Sequence, residues 1–125
     1  MGIAGAPEKK VSWGSSLREE ADAHLRSCFA QRRPPKVSEL AAQLGISRVT
    51  LGKRFRRETG AALSEYFMRA RIACAKKLLR TTNLSVARIA RRAAFKDSRS
   101  FHRAFRRETG LTPARYRRTS PLSQQ

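Results

Sequence analysis

Acidic groups are scarce in this chain: 9 Asp and Glu stand against 28 Lys and Arg in 125 residues, a formal net charge of +19. Such a field costs a folded domain stability through self-repulsion, so it points to a polyanionic partner, with nucleic acid ahead of a membrane. A membrane-surface reading asks for a long basic amphipathic helix anchored by Trp and Phe, and the single Trp, Trp13, lies far from the most basic region. There are two cysteines, Cys28 and Cys74, in no Cys-x-x-Cys spacing, and His24 and His102 complete no ligand set with them. No metal is therefore expected, and both thiols read as small apolar groups in a reducing cytoplasm. No apolar run approaches the roughly 20 residues of a membrane-spanning helix. The stretch Met1 to Ala6 has no apolar signal core, so a soluble cytoplasmic protein, associated with the nucleoid, is expected. Paired carboxylates, a Cys–His pair and a phosphate-binding loop are missing too, which argues against an enzyme and against a cofactor. Nor does any stretch alternate as a strand would.

What is present is a repeat. Phe55-Arg56-Arg57-Glu58-Thr59-Gly60 recurs letter for letter as Phe105-Arg106-Arg107-Glu108-Thr109-Gly110, and the copies also match at Tyr66 and Tyr116. A fixed-period identity means that one structural unit has been built twice. The positive charge sits on the copies. Residues 1–33 carry six basic and four acidic groups, residues 34–84 eleven and three, and residues 85–118 eleven and two. Arg outnumbers Lys there, and guanidinium groups suit forked contacts to phosphate and guanine.

The chain reads as all-α, with about seven helices. Residues 1–15 lack periodicity and read as a flexible arm. Ser16-Leu17-Arg18-Glu19 fits a capping box, opening a helix with Leu17, Ala21, Leu25, Cys28 and Phe29 at helical spacing, closed near Gln31 to Arg33 by Pro34-Pro35. A short helix from Val37 to Leu44 stops at Gly45. Ser47 caps the next, Arg48 to Glu58, with Leu51, Phe55 and the stem of Arg54 inward. A longer helix from Ser64 to Arg80 is apolar on more than one face, as a helix sandwiched between subdomains would be. Ser85 caps a helix from Val86 to Ala93, a turn through Phe95-Lys96-Asp97 leads to another from Ser98 to Glu108, and Pro113 opens a last short one. This divides the chain into an arm (1–15), a first subdomain (16–62), a linker helix (63–82), a second subdomain (83–118) and a tail (119–125).

Two short helices joined by a tight turn, the second basic on its outer side, describe a helix-turn-helix. Such a motif needs a small residue on the first helix, a residue that tolerates a left-handed turn, and an apolar residue on the second helix. Ala41, Gly45 and Leu51 supply these once; Ala90, Ala94 and Phe101 supply them again, with one extra residue in the turn.

These motifs carry a resemblance. Leu40-Ala41-x-x-Leu44-Gly45-Ile46-Ser47-Arg48, Leu51-x-x-x-Phe55, Ala75-x-x-Leu78-Leu79, Ile89-Ala90 through Phe95, Phe101 and Phe105, and Gly110-x-x-Pro113-x-x-Tyr116-Arg117 together resemble the DNA-binding domain of the AraC/XylS family of bacterial transcription regulators. The likeness covers about four fifths of the chain. It implies two helix-turn-helix subdomains joined by a linker helix, bound to adjacent major grooves of double-stranded DNA, and regulation of transcription initiation, in many members through contact with RNA polymerase. Two non-identical reading helices on one chain point to an asymmetric promoter site, at which the regulator is either an activator or a repressor. The alternative is a non-specific basic nucleoid-type protein that binds DNA or RNA by charge alone. Most members carry a sensing domain ahead of this one; the expectation is a monomer of this domain on DNA, with any dimer formed through such a sensing domain. Two positions depart from the family pattern: Ala94 stands where Gly is usual, and Gly52 stands where a side chain often reads a base.

Helical geometry then divides the outward residues. Base edges are reached mostly from the first half of a recognition helix, which assigns Arg48, Val49 and Lys53 on the first, and Arg99, His102 and Arg103 on the second, with Gly52 and Ser98 at the same surfaces. Arg and Lys favour guanine, and Val49 suits a thymine methyl. Ser47, Thr50, Arg56, Lys96, Ser100, Arg106 and Arg117 are assigned to phosphates, which set register. Arg57, Glu58, Arg107 and Glu108 read as local surface ion pairs, and Tyr66 and Tyr116 as core packing.

Overall fold

A computed structural model describes residues 16–119; the arm 1–15 and all of the tail except Thr119 lie outside the described residues. Among these, seven helices and no strand occur: α1 (Leu17–Gln31), α2 (Val37–Leu44), α3 (Arg48–Thr59), α4 (Leu63–Thr81), α5 (Val86–Arg92), α6 (Ser98–Thr109) and α7 (Pro113–Arg118). The all-α, two-motif architecture is as expected from sequence. The backbone separates into two units, one of residues 16–27 and 35–67, the other of 28–34 and 68–119.

The first unit buries Leu17, Ala21 and Leu25 of α1, Leu40, Ala41 and Leu44 of α2, Leu51 and Phe55 of α3, and Leu63 and Phe67 of α4. Arg54 is exposed, correcting its inward assignment; a charged stem has no reason to enter a core that Leu51 and Phe55 already fill. The capping box forms: the Glu19 N–H donates to Ser16 Oγ (3.0 Å) and the Ser16 N–H to Glu19 Oε1 (3.1 Å). Glu58 is not the local ion-pair partner its neighbours suggested. Its carboxylate accepts from the Leu17 N–H (3.0 Å) and the Arg18 N–H (3.1 Å), two amides at the start of α1 that have no partner within the helix. The partial positive charge there favours a carboxylate.

The second unit is built on Ile72, Ala75 and Leu79 of α4, Ile89 and Ala90 of α5, Ala93 and Phe95 of the turn, and Phe101, Ala104 and Phe105 of α6. Helix α1 ends in this unit at Arg32, whose φ of 57° is left-handed. The Arg32 N–H reaches Phe29 O and the Arg33 N–H reaches Cys28 O (3.2 and 3.1 Å). The helix is therefore ended by a left-handed arginine, with the prolines following. Cys28 is buried, as expected, and Cys74 is half-buried. Burial pushes the Cys74 thiol above its ordinary range. His24, buried one helical turn before Cys28, receives the Lys36 N–H at 3.4 Å and packs its ring on Phe67.

Burial raises the Glu58 carboxyl, but the two amide hydrogen bonds and Ser16 outweigh it, holding its pKa below the ordinary glutamate range. A depressed carboxyl stabilises the fold above its unfolded pKa and ceases to do so as pH falls through the folded value. Glu58→Ala should therefore lower stability at neutral pH by about 1 kcal/mol, the usual effect of a lost helix cap. The difference from wild type should shrink as pH falls from the ordinary glutamate range through the lower folded value, measured by urea unfolding as a function of pH.

Candidate nucleic-acid interface

Each motif places its second helix by the same chain of bonds. In the first, the Gly45 N–H donates to Ala42 O (3.1 Å) and the Ile46 N–H to Ala41 O (3.0 Å), with Gly45 at φ 73°. In the second, the Ala94 N–H donates to Arg91 O and the Phe95 N–H to Ala90 O (both 2.9 Å), with Ala94 at φ 67°. The turn is thus the same left-handed one, made by alanine at a conformational cost of about 1 kcal/mol. Ser47 caps α3 by accepting the Thr50 N–H (3.0 Å). Asp97 caps α6 by accepting the Ser100 N–H (2.7 Å), and that hydrogen bond is the largest of the effects holding its carboxyl below the ordinary range.

The identical hexapeptides anchor and stop the two helices. Phe55 and Phe105 are fully buried, each meeting the ring of the following tyrosine edge-on: Tyr66 at 5.2 Å and Tyr116 at 5.4 Å. Thr59 Oγ1 donates to Phe55 O (2.9 Å) and accepts from the Ala61 N–H (3.2 Å); Thr109 does the same with Phe105 O (2.8 Å) and the Leu111 N–H (3.1 Å). Gly60 and Gly110 follow at φ 83° and 81°. The tyrosines do more than pack. Tyr66 donates to Asp22 Oδ1 (2.6 Å), and Tyr116 accepts from Arg80 (2.8 Å). Glu108, unlike its copy Glu58, pairs with Arg107 (3.9 Å).

With one side of each helix committed to the core, the other presents the predicted readers. Arg48, Val49 and Lys53 are exposed on α3, and Gly52 is half-exposed between them. Val49, 66% exposed, is a large apolar side chain that no protein contact accounts for. A methyl built on Gly52 would meet no atom within 4 Å, so the gap is open surface. It belongs to a hollow of about 320 Å³ also lined by Lys53 and Arg56. On α6, Arg99, His102 and Arg103 are exposed and Ser98 is half-exposed. His102 turns Nδ1 to Ser98 O (2.9 Å) and sets its ring edge-on to Phe101, leaving Nε2 outward.

The predicted phosphate residues are less uniform. Ser47, Arg56, Lys96 and Arg106 are exposed; Thr50 and Ser100 are half-buried beside the caps. Arg117 stands apart, because its guanidinium donates to Leu79 O (3.2 Å) and Thr82 O (3.0 Å), tying α7 to the end of α4.

Sequence reasoning missed Arg71, which braces the turn that leads into α6. Its Nη2 donates to Ala94 O (2.8 Å) and its Nε to Ala93 O (3.4 Å), while the guanidinium lies 3.8 Å above the Phe95 ring. Burial pulls its pKa down to about 10, still protonated at neutral pH. Arg71 therefore spans from α4 to the strained turn from which α6 departs. The only sequence signal was the alanine at a glycine position, which needs outside support. Also unassigned from sequence were Arg88, Arg91 and Arg92, exposed on α5.

Comparison with known proteins agrees with this geometry. A family model described as a helix-turn-helix domain matches residues 40–119. The Msm operon regulatory protein of Streptococcus mutans is 34% identical over 83 residues, 66% of this chain and 30% of that protein. The HTH-type transcriptional activator RhaR of Enterobacter sp. is 39% identical over 84 residues, 67% of this chain and 30% of that protein. The chain thus spans about a third of the length of these curated relatives. The DNA-binding domain of AdpA, a global transcriptional factor solved in complex with a target DNA, superposes with a TM-score of 0.71 at 33% identity, covering 82% of this chain and 91% of that one. Among the described residues no helix is long and apolar enough to cross a membrane.

Arg71→Met should leave the Ala94 carbonyl without its donor and cost about 2 kcal/mol, since an unpaired buried polar group costs roughly 1–3 kcal/mol. Arg71→Lys should recover only part of this, because an ammonium cannot reproduce the forked contact. Chemical denaturation of the three proteins measures both effects.

Proposed function

We propose a function from the premise that this chain belongs to the AraC/XylS-type helix-turn-helix family: it is a sequence-specific DNA-binding regulator of transcription initiation, with α3 and α6 each reading one major groove of an asymmetric site. The observation that carries this reading is that two helices of equal length are held and stopped by identical residues yet present different outward residues. Identical holding with different reading surfaces is what an asymmetric site requires. A protein that binds by charge alone has no use for the difference.

In this reading Arg48, Val49 and Lys53 contact bases of one half-site, and Arg99, His102 and Arg103 those of the other, with Gly52 and Ser98 at the same surfaces. Arg and Lys select guanine, and Val49 packs on a thymine methyl. Ser47, Thr50, Arg56, Lys96, Ser100 and Arg106 hold phosphates; Arg117 is left to its carbonyl bonds. Residues 16–62 and 83–118 serve as the reading subdomains and 63–82 as the helix that joins them. The regulator acts in the cytoplasm on the nucleoid, as a monomer on its site, and activates by contact with RNA polymerase. The activator names of the RhaR relatives support that direction. It carries out no enzymatic step.

Selection of bound sites from random duplex, followed by competition at physiological salt, tests it. The selected site should compete far better than unrelated DNA; equal competition would leave charge alone as the basis of binding. Arg99→Ala with Arg103→Ala should cost roughly 1–3 kcal/mol for each base that is no longer read and relax one half of the site, leaving the other half unchanged. Gly52→Ala should stabilise α3 by roughly 0.5–1 kcal/mol. If the backbone approaches the groove at this position, the same change weakens DNA binding; if the gap is merely unused, affinity is unchanged.

A further inference from the structure

We propose that Arg32, Arg88, Arg91 and Arg92 form a sequence-independent site for the phosphodiester backbone of DNA beyond the base pairs read by α6. This rests on the reading of α6 as a recognition helix. Helix α5 buries Ile89 and Ala90 and leaves Arg88, Arg91 and Arg92 exposed. The left-handed backbone of Arg32 brings a fourth guanidinium to them, and the four together line one hollow of about 290 Å³. Among the described residues, none of the four has a carboxylate or carbonyl partner. That sets them apart from the arginines already accounted for: Arg71 and Arg117 reach carbonyls, Arg80 a tyrosine, and Arg107 a glutamate. Four like charges around one hollow lie within the screening length of about 10 Å at 0.1 M salt and repel one another. An anion there relieves the repulsion, and guanidinium forks match phosphate oxygens in pairs.

The shape of the surface selects a strand over a small anion. A second hollow, of about 340 Å³, shares Arg88 and Arg91 and continues to Lys96, Asp97 and Ser98 at the first turn of α6. The carboxylate in this strip, Asp97, is engaged as the cap of α6. The positive strip therefore begins at the reading helix and ends at Arg32, an elongated track suited to a polymer of regularly spaced charges. A single phosphate would satisfy only one hollow. These arginines add affinity and fix the register of α6 without touching a base.

Affinity for a selected duplex, measured against salt, tests the site in three chains: wild type, Arg91→Gln with Arg92→Gln, and Arg91→Lys with Arg92→Lys. Each phosphate contact contributes about 0.9 to the slope of log affinity against log salt. The Gln pair should lower the slope by nearly two and weaken selected and unrelated duplexes by the same factor, while the Lys pair keeps most of the slope. Shortening the duplex beyond the half-site relaxed by the Arg99 and Arg103 changes should weaken wild type and leave the Gln pair unaffected. An unchanged slope with unchanged length dependence overturns the proposal, as does an altered base preference in the Gln pair. It is equally overturned if inorganic pyrophosphate raises the melting temperature of wild type but not of the Gln pair while flank length has no effect. Wild-type chain that discriminates no sequence would instead defeat the reading of α3 and α6, and the slope comparison would still report on the arginines.

Discussion

The burial of one phenylalanine ring per repeat against the edge of one tyrosine is the contact on which α3 and α6 depend. Phe55 and Phe105 are fully buried on the outward-charged helices, one turn beyond the equally buried Leu51 and Phe101. A fully buried Phe contributes on the order of 2–3 kcal/mol, and the edge-on ring pair adds somewhat more. That is enough to hold a helix whose other side carries arginine after arginine. Because the backbone carbonyl of the same phenylalanine accepts from the threonine hydroxyl four residues on, attachment and termination are one device. That coupling accounts for the Phe, Thr and Gly of the repeated string.

The charge makes such firm attachment necessary. A net +19 on 125 residues opposes a compact fold, and the molecule meets that in two ways. Some arginines serve the structure: Arg71 supports the strained Ala94 turn, Arg80 holds Tyr116, and Arg117 ties α7 to the last turn of α4. The others stay on the surface, where water and salt screen them. Burial sets Arg71 and Arg117 apart from the surface group, whereas Arg80 is exposed and reaches Tyr116 from the surface. Arg71 lies among apolar side chains and needs carbonyl partners, whereas Arg99 and Arg103 face solvent and need none.

The two copies are alike in how they hold a helix and unlike in what surrounds it. Glu58 serves the start of α1, which the second copy lacks, so Glu108 falls back on a surface pair with Arg107. Ser47 caps α3, while the one-residue-longer second turn brings Asp97 to the same task for α6. Ala104 is buried where its counterpart Arg54 is exposed, because the second core extends further round its helix. Identical letters thus acquire different partners once the chain is folded.

Helix positions, the turn glycines, the capping serines and the split between apolar and basic faces were all legible in the sequence. They follow from local rules: a periodicity of 3.6, side chains that cap their own backbone, and residues that tolerate positive φ. The role of the repeated Thr and Gly at their own helix is likewise local, since both act within five residues of the phenylalanine. What only the tertiary structure decided are bonds across long sequence separations: Glu58 to Leu17 and Arg18, Tyr66 to Asp22, Arg71 to Ala94, and Arg117 to Leu79 and Thr82. An arginine on a helix carries no mark of whether it will meet a carbonyl or solvent. That depends on which other helix arrives beside it, and three-dimensional packing alone determines it.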